Sequence, residues 1–470
     1  MAAVPSLVIS ATRGGLGKTT LALGVVAAWR RRSRQVAVFK KGPDFIDAGW
    51  LGVAAGRPCY NLDLFMMDEA SVLRSFLKHT KGADAAVIEG NRGLFDGVDE
   101  SGAYSTARLA TLLGAPVALI VDCTKSTSTV AALVLGCRQY DPTVNFGGVV
   151  LNNVSSGRHE AVIRRTIARS SGIPVLGAVP RMRGGEFPER HMGLTPFHEH
   201  PEVDQAVQSA ADVVERYLDL DALWDSASSI PEIGTEQGAS GDRETPAQGD
   251  RVVVGVIRDK AFQFYYPDNL EELERHGAEI REINALRDRA LPDDLDALYI
   301  GGGFPETQAA ELAANEGFCR SVKRAAENGL PVYAECGGLI YLGRSLSVSD
   351  KRYPMTAVLP VDFVLEKRPQ AHGYTVLEAG GPGIFPGKGV SIRGHEFHYS
   401  RISHIDGSLP MAYYVQRGFG IDGKSDGIIY KNVVAAYTHI HALATPEWAP
   451  AMVKKAREHQ KNRQQSRQAG

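Results

Sequence analysis

Between Ser6 and about Ala178 short apolar runs, "LVIS", "VAVF", "AAVIEG", "PVALIVDC", "FGGVVLNN" and "PVLGAVP", alternate with stretches long enough for helices. Runs of this kind fit strands buried on both faces, so the rhythm predicts a mostly parallel sheet with helices on both sides. From Asp225 to Asp250 the chain turns small and polar, "DSASSIPEIGTEQGASGDRETPAQGD", broken by proline and glycine as linkers are. The rhythm restarts near Arg251 with "RVVVGVIRD", a helix-like "PDNLEELERHG", "LDALYIGGG" and "GLPVYAEC", which predicts a second α/β domain. The final "KKAREHQKNRQQSRQAG" is basic and without periodicity, and is expected to fray. The expected division is therefore a domain over 1–224, a linker over 225–250, a domain over 251–450 and a tail over 451–470.

Composition narrows the class. A chain of 470 residues exceeds one ordinary core, and 44% hydrophobic and 23% charged residues are those of a globular protein. A formal net charge of -2 gives no reason to expect nucleic acid or a membrane surface as partner. Five scattered cysteines without a CxxC pair, and a start without a basic, long-apolar leader, lead us to expect a reducing cytoplasm.

Two segments carry chemistry. "SATRGGLGKTT" lies between the first strand and a helix-like stretch, so its backbone N–H groups and the helix end face an anion. Lys18 then reaches phosphate oxygens and Thr19 offers a hydroxyl to Mg²⁺. The strict Walker pattern wants glycine where Thr12 stands; "RGGLGKT" resembles a deviant P-loop with a basic residue before two glycines. Lys40, Asp44 and Asp47 follow another strand, and Glu89 and Asp96 a third. Strand ends are where open α/β sheets bind ligands, and these carboxylates suit Mg²⁺ on a nucleotide. Asn152 and Asn153 end a later strand, and a side-chain amide there can read a purine edge.

The second segment is "LPVYAECGGLIYLG": strand, sharp turn, helix, the arrangement that exposes a nucleophile. Gly337 and Gly338 let the turn close. A helix end alone, worth about 0.3–1 kcal/mol, cannot lower the pKa of Cys336 by one unit, so a histidine partner is expected from "YTHIH", His439 or His441. The glycines of "GGGFPE", Gly301 to Glu306, would supply N–H groups for an oxyanion hole. An ATP site and a cysteine site on one chain suggest two half-reactions: release of ammonia from an amide through a thioester, and activation of a carboxylate as an acyl phosphate.

In order, "ATRGGLGKTT", "FKKGPDFID", "EGNRGLFDG", "ERHMGL", "AFQFYYPDNLEEL", "GGGFPE", "AECGGLIYL", "GHEFHYS" and "YTHIH" resemble the cobyrinic acid a,c-diamide synthase family over nearly the whole chain. The resemblance implies glutamine- and ATP-dependent amidation of the a and c acetates of a modified tetrapyrrole. It implies a dethiobiotin-synthetase-like P-loop domain followed by a class I glutamine amidotransferase domain. Thr12 is usual in the family. The nucleotide site then falls on Gly14, Gly15, Gly17, Lys18, Thr19, Thr20, Lys40 and Asn152, with Mg²⁺ at Thr19, Asp47 and Glu89. Asp44, Arg92 and Asp96 belong to the activated-carboxylate region. Cys336 is the implied nucleophile, His439 its histidine, and Gly302, Gly303 and Gly337 the oxyanion site. Where many class I relatives carry a glutamate two residues after the histidine this chain has His441, so the third triad member is unassigned. Asn91 and Arg92 replace a "VM" pair usual in cobyrinic acid enzymes and look more like relatives acting on sirohydrochlorin-type rings, where Arg92 could pair with a ring carboxylate. The expected partners are ATP, glutamine and the tetrapyrrole polycarboxylate, with room for a homodimer. The rival readings are a cobyric acid synthase-like amidation of other side chains and a P-loop switch ATPase; the latter has no use for Cys336.

Overall fold

The computed structural model describes residues 4–182, 197, 202–229, 251–380 and 389–469, so "ERHMGL" and most of the expected linker lie outside the described residues. The chain divides into two compact units, Met1–Ala239 and Ser240–Gly470.

In the first unit the six apolar runs become β1 (Ser6–Ala11), β2 (Val36–Lys41), β4 (Ala85–Glu89), β5 (Val117–Asp122), β6 (Phe146–Val154) and β7 (Val175–Pro180), and a strand the runs do not include, β3 (Cys59–Leu62), joins them. They form one sheet in the order β3-β2-β4-β1-β5-β6-β7, with every pair parallel. In such a sheet all strands end on the same edge, so the segments after β1, β2 and β4 converge there. Helix α1 (Lys18–Arg31) is buried along most of its length. The helices Val203–Tyr217 and Leu220–Ala227 return to cover it, with Ala210 and Val214 against Gly24 and an edge-on contact between Trp29 and Trp224. Asp225 to Ala227 thus belong to that last helix and not to the linker.

The second unit is α/β as expected, but only half of its main sheet is parallel: Ala278–Ile283, Val252–Ile257, Ala297–Ile300, Val332–Glu335 and Val433–Ala436. Antiparallel strands Ser425–Tyr430, Met411–Arg417, Ala371–Ala379, Ser391–His398 and His439–Ile440 extend it, and a four-stranded sheet lies beside them in sequence. These strands escape a search for apolar runs because they alternate, as in Ser391–His398, where buried and more exposed positions follow one another.

The expected tail is instead a helix, Trp448–Ala469. Trp448, Met452 and Ala456 lie four residues apart and are buried, with Val453 beside them, so a helical stripe anchors its first turns. Farther on, Arg463 donates to the Leu295 carbonyl at 3.0 Å and to Asp296 at 2.8 Å, and Gln460 to Asp296 at 2.9 Å. A reading that began at Lys454 cut the stripe in two. Trp448 packs edge-on against Tyr299 and Tyr333, with centroids 5.3 and 5.4 Å away. Trp448→Ala is therefore expected to cost the second unit about 3–5 kcal/mol, read as a lower denaturant midpoint.

Candidate active sites

In the first unit the loop between β1 and α1 places Lys18 and Thr19 at a helix start. Thr19 Oγ1 donates to Glu89 Oε1 at 2.7 Å, and Lys18 is almost wholly buried. Lys40 Nζ bridges two carboxylates, 2.6 Å from Asp47 Oδ2 and 3.0 Å from Glu89 Oε1. Register explains the bridge: Lys40 lies opposite Glu89 in the β2–β4 pair, and Asp47 opens α2 (Ile46–Ala55) just beyond β2. Burial works against the Lys40 ammonium, but Asp47 and Glu89 outweigh it and hold the pKa above the usual lysine range. Burial also weakens the Lys18 charge, aided by Lys40. Burial, then Asp47, raises Asp44, and burial raises Glu89 against the pull of Lys40.

Asp44 does a local job as well, taking the Asp47 N–H at 2.8 Å as α2 begins. Asp96 takes the Gly93 N–H at 2.8 Å and steadies the loop that carries Arg92, itself exposed with a φ of 51°. Asn152 donates Nδ2 to the Leu16 carbonyl at 3.1 Å, and its Oδ1 accepts the Asn153 N–H at 2.8 Å. The amide expected at a purine edge thus has its acceptor and one donor engaged with the chain, and it braces the loop between β1 and α1. Glu89 Oε2 is buried and has no hydrogen-bond partner among the described residues. With the Thr19 hydroxyl and the Asp47 carboxylate beside it, the donors are all hard oxygens, a set that fits Mg²⁺.

In the second unit Cys336 sits between the strand Val332–Glu335 and the helix Gly337–Leu342 with φ 45° and ψ −95°, a strained turn for a residue with a side chain. Its N–H is fixed by the Ala436 carbonyl at 2.7 Å. Burial first, and then the charge of Glu306, push the thiol pKa up. A sulfur held in this way needs a neighbouring base to take its proton before it can react.

His439 comes three residues after the strand Val433–Ala436, which pairs in parallel with Val332–Glu335, and lies in the short strand His439–Ile440 paired with Ser391–His398. Its ring lies against Gly302, where a Cβ would collide with Cε1. Gly337 meets the same loop, a Cβ there falling 3.0 Å from the Gly303 nitrogen. Loop 301–303 is held by the N–H groups of Gln263 and Phe264, each 3.0 Å from the Gly302 carbonyl, and by the Tyr265 hydroxyl accepting the Gly301 N–H at 2.7 Å. The structure therefore gathers Cys336, His439 and the glycines 302, 303 and 337 around one turn.

Comparison with known proteins matches both parts of the chain. Residues 7–194 match the CobQ/CobB/MinD/ParA nucleotide binding domain, and residues 253–447 the CobB/CobQ-like glutamine amidotransferase domain. Cobyrinate a,c-diamide synthase of Magnetococcus marinus is 43% identical over 97% of this chain and 98% of that relative. The chain belongs to the cobyrinate a,c-diamide synthase family. The enzymes of that name from Archaeoglobus fulgidus and Dehalococcoides mccartyi are 40% and 36% identical, each over 96% of this chain and 98% of its own length.

A carboxylate from outside the "HIH" segment lies beside His439. Glu335 Oε2 lies 3.4 Å from His439 Nδ1, and Glu335 is almost wholly buried. Its Oε1 accepts the Ile440 N–H at 3.2 Å and its Oε2 the Tyr299 hydroxyl at 3.2 Å. The signal available in the sequence was a lone carboxylate in the otherwise apolar "LPVYAEC". His441 instead turns to Asp268, 3.4 Å from its Oδ2, while Asn269 grips the Ile440 carbonyl at 3.0 Å and the Ala442 N–H at 2.7 Å. The "PDN" of the helix Pro267–Arg275 thus clamps the histidine strand. Asp426 adds a second brace, taking the N–H groups of Tyr437 and Thr438 at 3.0 Å each. His395, with its ring 6.2 Å from that of His439, is kept neutral to about pH 3 by burial.

Proposed function

We propose that the protein is an ATP- and glutamine-dependent ligase that amidates the a and c acetate side chains of a modified tetrapyrrole. The observation that carries this reading is the grouping of Cys336, His439, Glu335 and the glycine loop in a chain that also holds the Lys18–Thr19–Glu89 site. The names of relatives similar over nearly the full length support it.

In the glutaminase step the Cys336 sulfur attacks the carboxamide carbon of glutamine and its proton passes to His439. The N–H groups of Gly303 and Gly337 are the candidates to receive the oxyanion. His439 returns the proton to the departing ammonia, and water hydrolyses the thioester to glutamate. Glu335 keeps the imidazole proton on Nδ1, leaving Nε2 as the base. In the synthetase step the P-loop N–H groups and Lys18 bind the phosphates, and Lys40 adds a fixed positive charge. Thr19, Asp47 and Glu89 would hold Mg²⁺, which offsets phosphate charge when bound. Phosphorylation turns a carboxylate oxygen into a leaving group, and ammonia displaces it as phosphate.

Between ring substrates, the relatives' names favour cobyrinic acid, whereas Asn91 and Arg92 favour a sirohydrochlorin-type ring. The test is to incubate the protein with glutamine and Mg-ATP, offering cobyrinic acid, sirohydrochlorin, its nickel form and sirohaem separately, and to read products by mass spectrometry. Gain of two amides on one ring identifies it. Amidation of none of the four overturns the reading.

A further inference from the structure

Lys41 ends β2 one residue after Lys40, so strand alternation turns the two ammonium groups to opposite faces of the sheet. Lys40 has Asp47 and Glu89 as partners. Lys41 is only 5% exposed, and among the described residues its side chain has no hydrogen bond or ion pair. Asp63 favours its charge from a distance, but Asp63 Oδ1 is turned to the Phe65 and Met66 N–H groups at 2.8 and 3.0 Å. Burial, and the like charges of Lys40 and Arg92, weaken the Lys41 ammonium. A buried cation without a partner is costly, and an anion arriving from outside would relieve that cost.

Arg92 is close enough to contribute that repulsion, and the backbone shows why. Gly42 follows Lys41 with φ 90°, and a Cβ on it would fall 3.1 Å from Asn91 Nδ2. The loops after β2 and β4 therefore touch, one bringing a buried point charge and the other an exposed planar fork. The phosphate-facing cation, Lys18, belongs to the loop after β1, and the oxygen set for Mg²⁺ gathers on the Lys40 side.

We propose that Lys41 and Arg92 form the seat for a second carboxylate of the substrate, one that is bound but not activated. The seat rests on the proposed function, because it requires a substrate with several carboxylates. A polycarboxylate ring held by one acid group presents another to the phosphate, which makes this pair a determinant of which ring and which side chain are amidated.

Lys41→Met and Arg92→Met, made in the full chain, test the seat. With whichever of cobyrinic acid or sirohydrochlorin the wild type amidates, Lys41→Met is expected to raise the KM for the ring roughly tenfold to a hundredfold. The KM values for ATP and glutamine should stay as they are, and the melting temperature should rise because an unpaired buried charge is gone. Arg92→Met should raise the same KM, and the double variant should lose less than the product of the two losses. An unchanged ring KM in Lys41→Met, or a raised KM for ATP, overturns the seat while leaving the amidase intact. A fall in melting temperature with every KM unchanged would make Lys41 structural and overturn it as well. A wild type that amidates neither of these two rings, nor nickel sirohydrochlorin nor sirohaem, removes the proposed function itself, and the seat with it.

Discussion

Cys336→Ser is expected to lower glutamine-dependent amidation at least a thousandfold while ammonium still supports product. The reason lies in the division of labour between the two units. Only the glutaminase step needs a sulfur nucleophile, and serine at this turn keeps the shape of the side chain while its hydroxyl is a far weaker nucleophile than the thiolate. A thousandfold loss corresponds to about 4 kcal/mol of transition-state stabilisation, beyond the reach of a packing change at a residue this small. The measurement is product formation by mass spectrometry with 5 mM-scale glutamine, or with an ammonium salt at about 100-fold excess, in the presence of Mg-ATP; these concentrations are roughly those at which KM values of typical enzymes are exceeded. Loss of both activities would mean that Cys336 holds the fold, and retention of both would mean that Cys336 is not the nucleophile of the glutaminase step.

Glu335→Gln is expected to lower the kcat of glutamine hydrolysis about 10²- to 10⁴-fold with little change in KM. Glu335 Oε1 accepts the Ile440 N–H, so in the variant the amide oxygen must stay there and the amide nitrogen must face His439 Nδ1. A donor at that point selects the tautomer with its proton on Nε2, the atom that should receive the Cys336 proton. The base is lost without any loss of volume. A structural role would show as a lower melting temperature and leave kcat alone, so the kcat-against-KM split together with a melt decides the matter. Ammonium-dependent amidation should survive in this variant too.

Much of this was legible along the chain. "RGGLGKTT" and "AECGGLIYL" each announce a strand, a tight turn and a helix, because glycine spacing and apolar runs are local properties. Six of the seven parallel strands of the first unit follow from continuous apolar runs, whereas the short Cys59–Leu62 strand carries too little apolar sequence to announce itself. The resemblance on motifs placed the two chemistries in the right order, and the matched residues 7–194 and 253–447 agree with it. The helix Trp448–Ala469 was missed because its buried stripe spans the point where the composition turns basic.

What the chain alone determined, then, is the set of candidate residues and the local geometry that places them: Lys18 and Thr19 at a helix start, Cys336 on a strained elbow, glycines where backbones must approach. What only the tertiary structure decided is which distant groups meet. The strand Val332–Glu335 lies beside Val433–Ala436, and this neighbour relation, not any spacing, brings Glu335 to His439 and leaves His441 to Asp268. Likewise Asn152 bends back to Leu16, and Lys41 is left buried beside the loop of Arg92, with no partner among the described residues. Periodicity reports the face a side chain occupies; sheet order and register fix what stands opposite, and these are set by packing across residues far apart in the sequence.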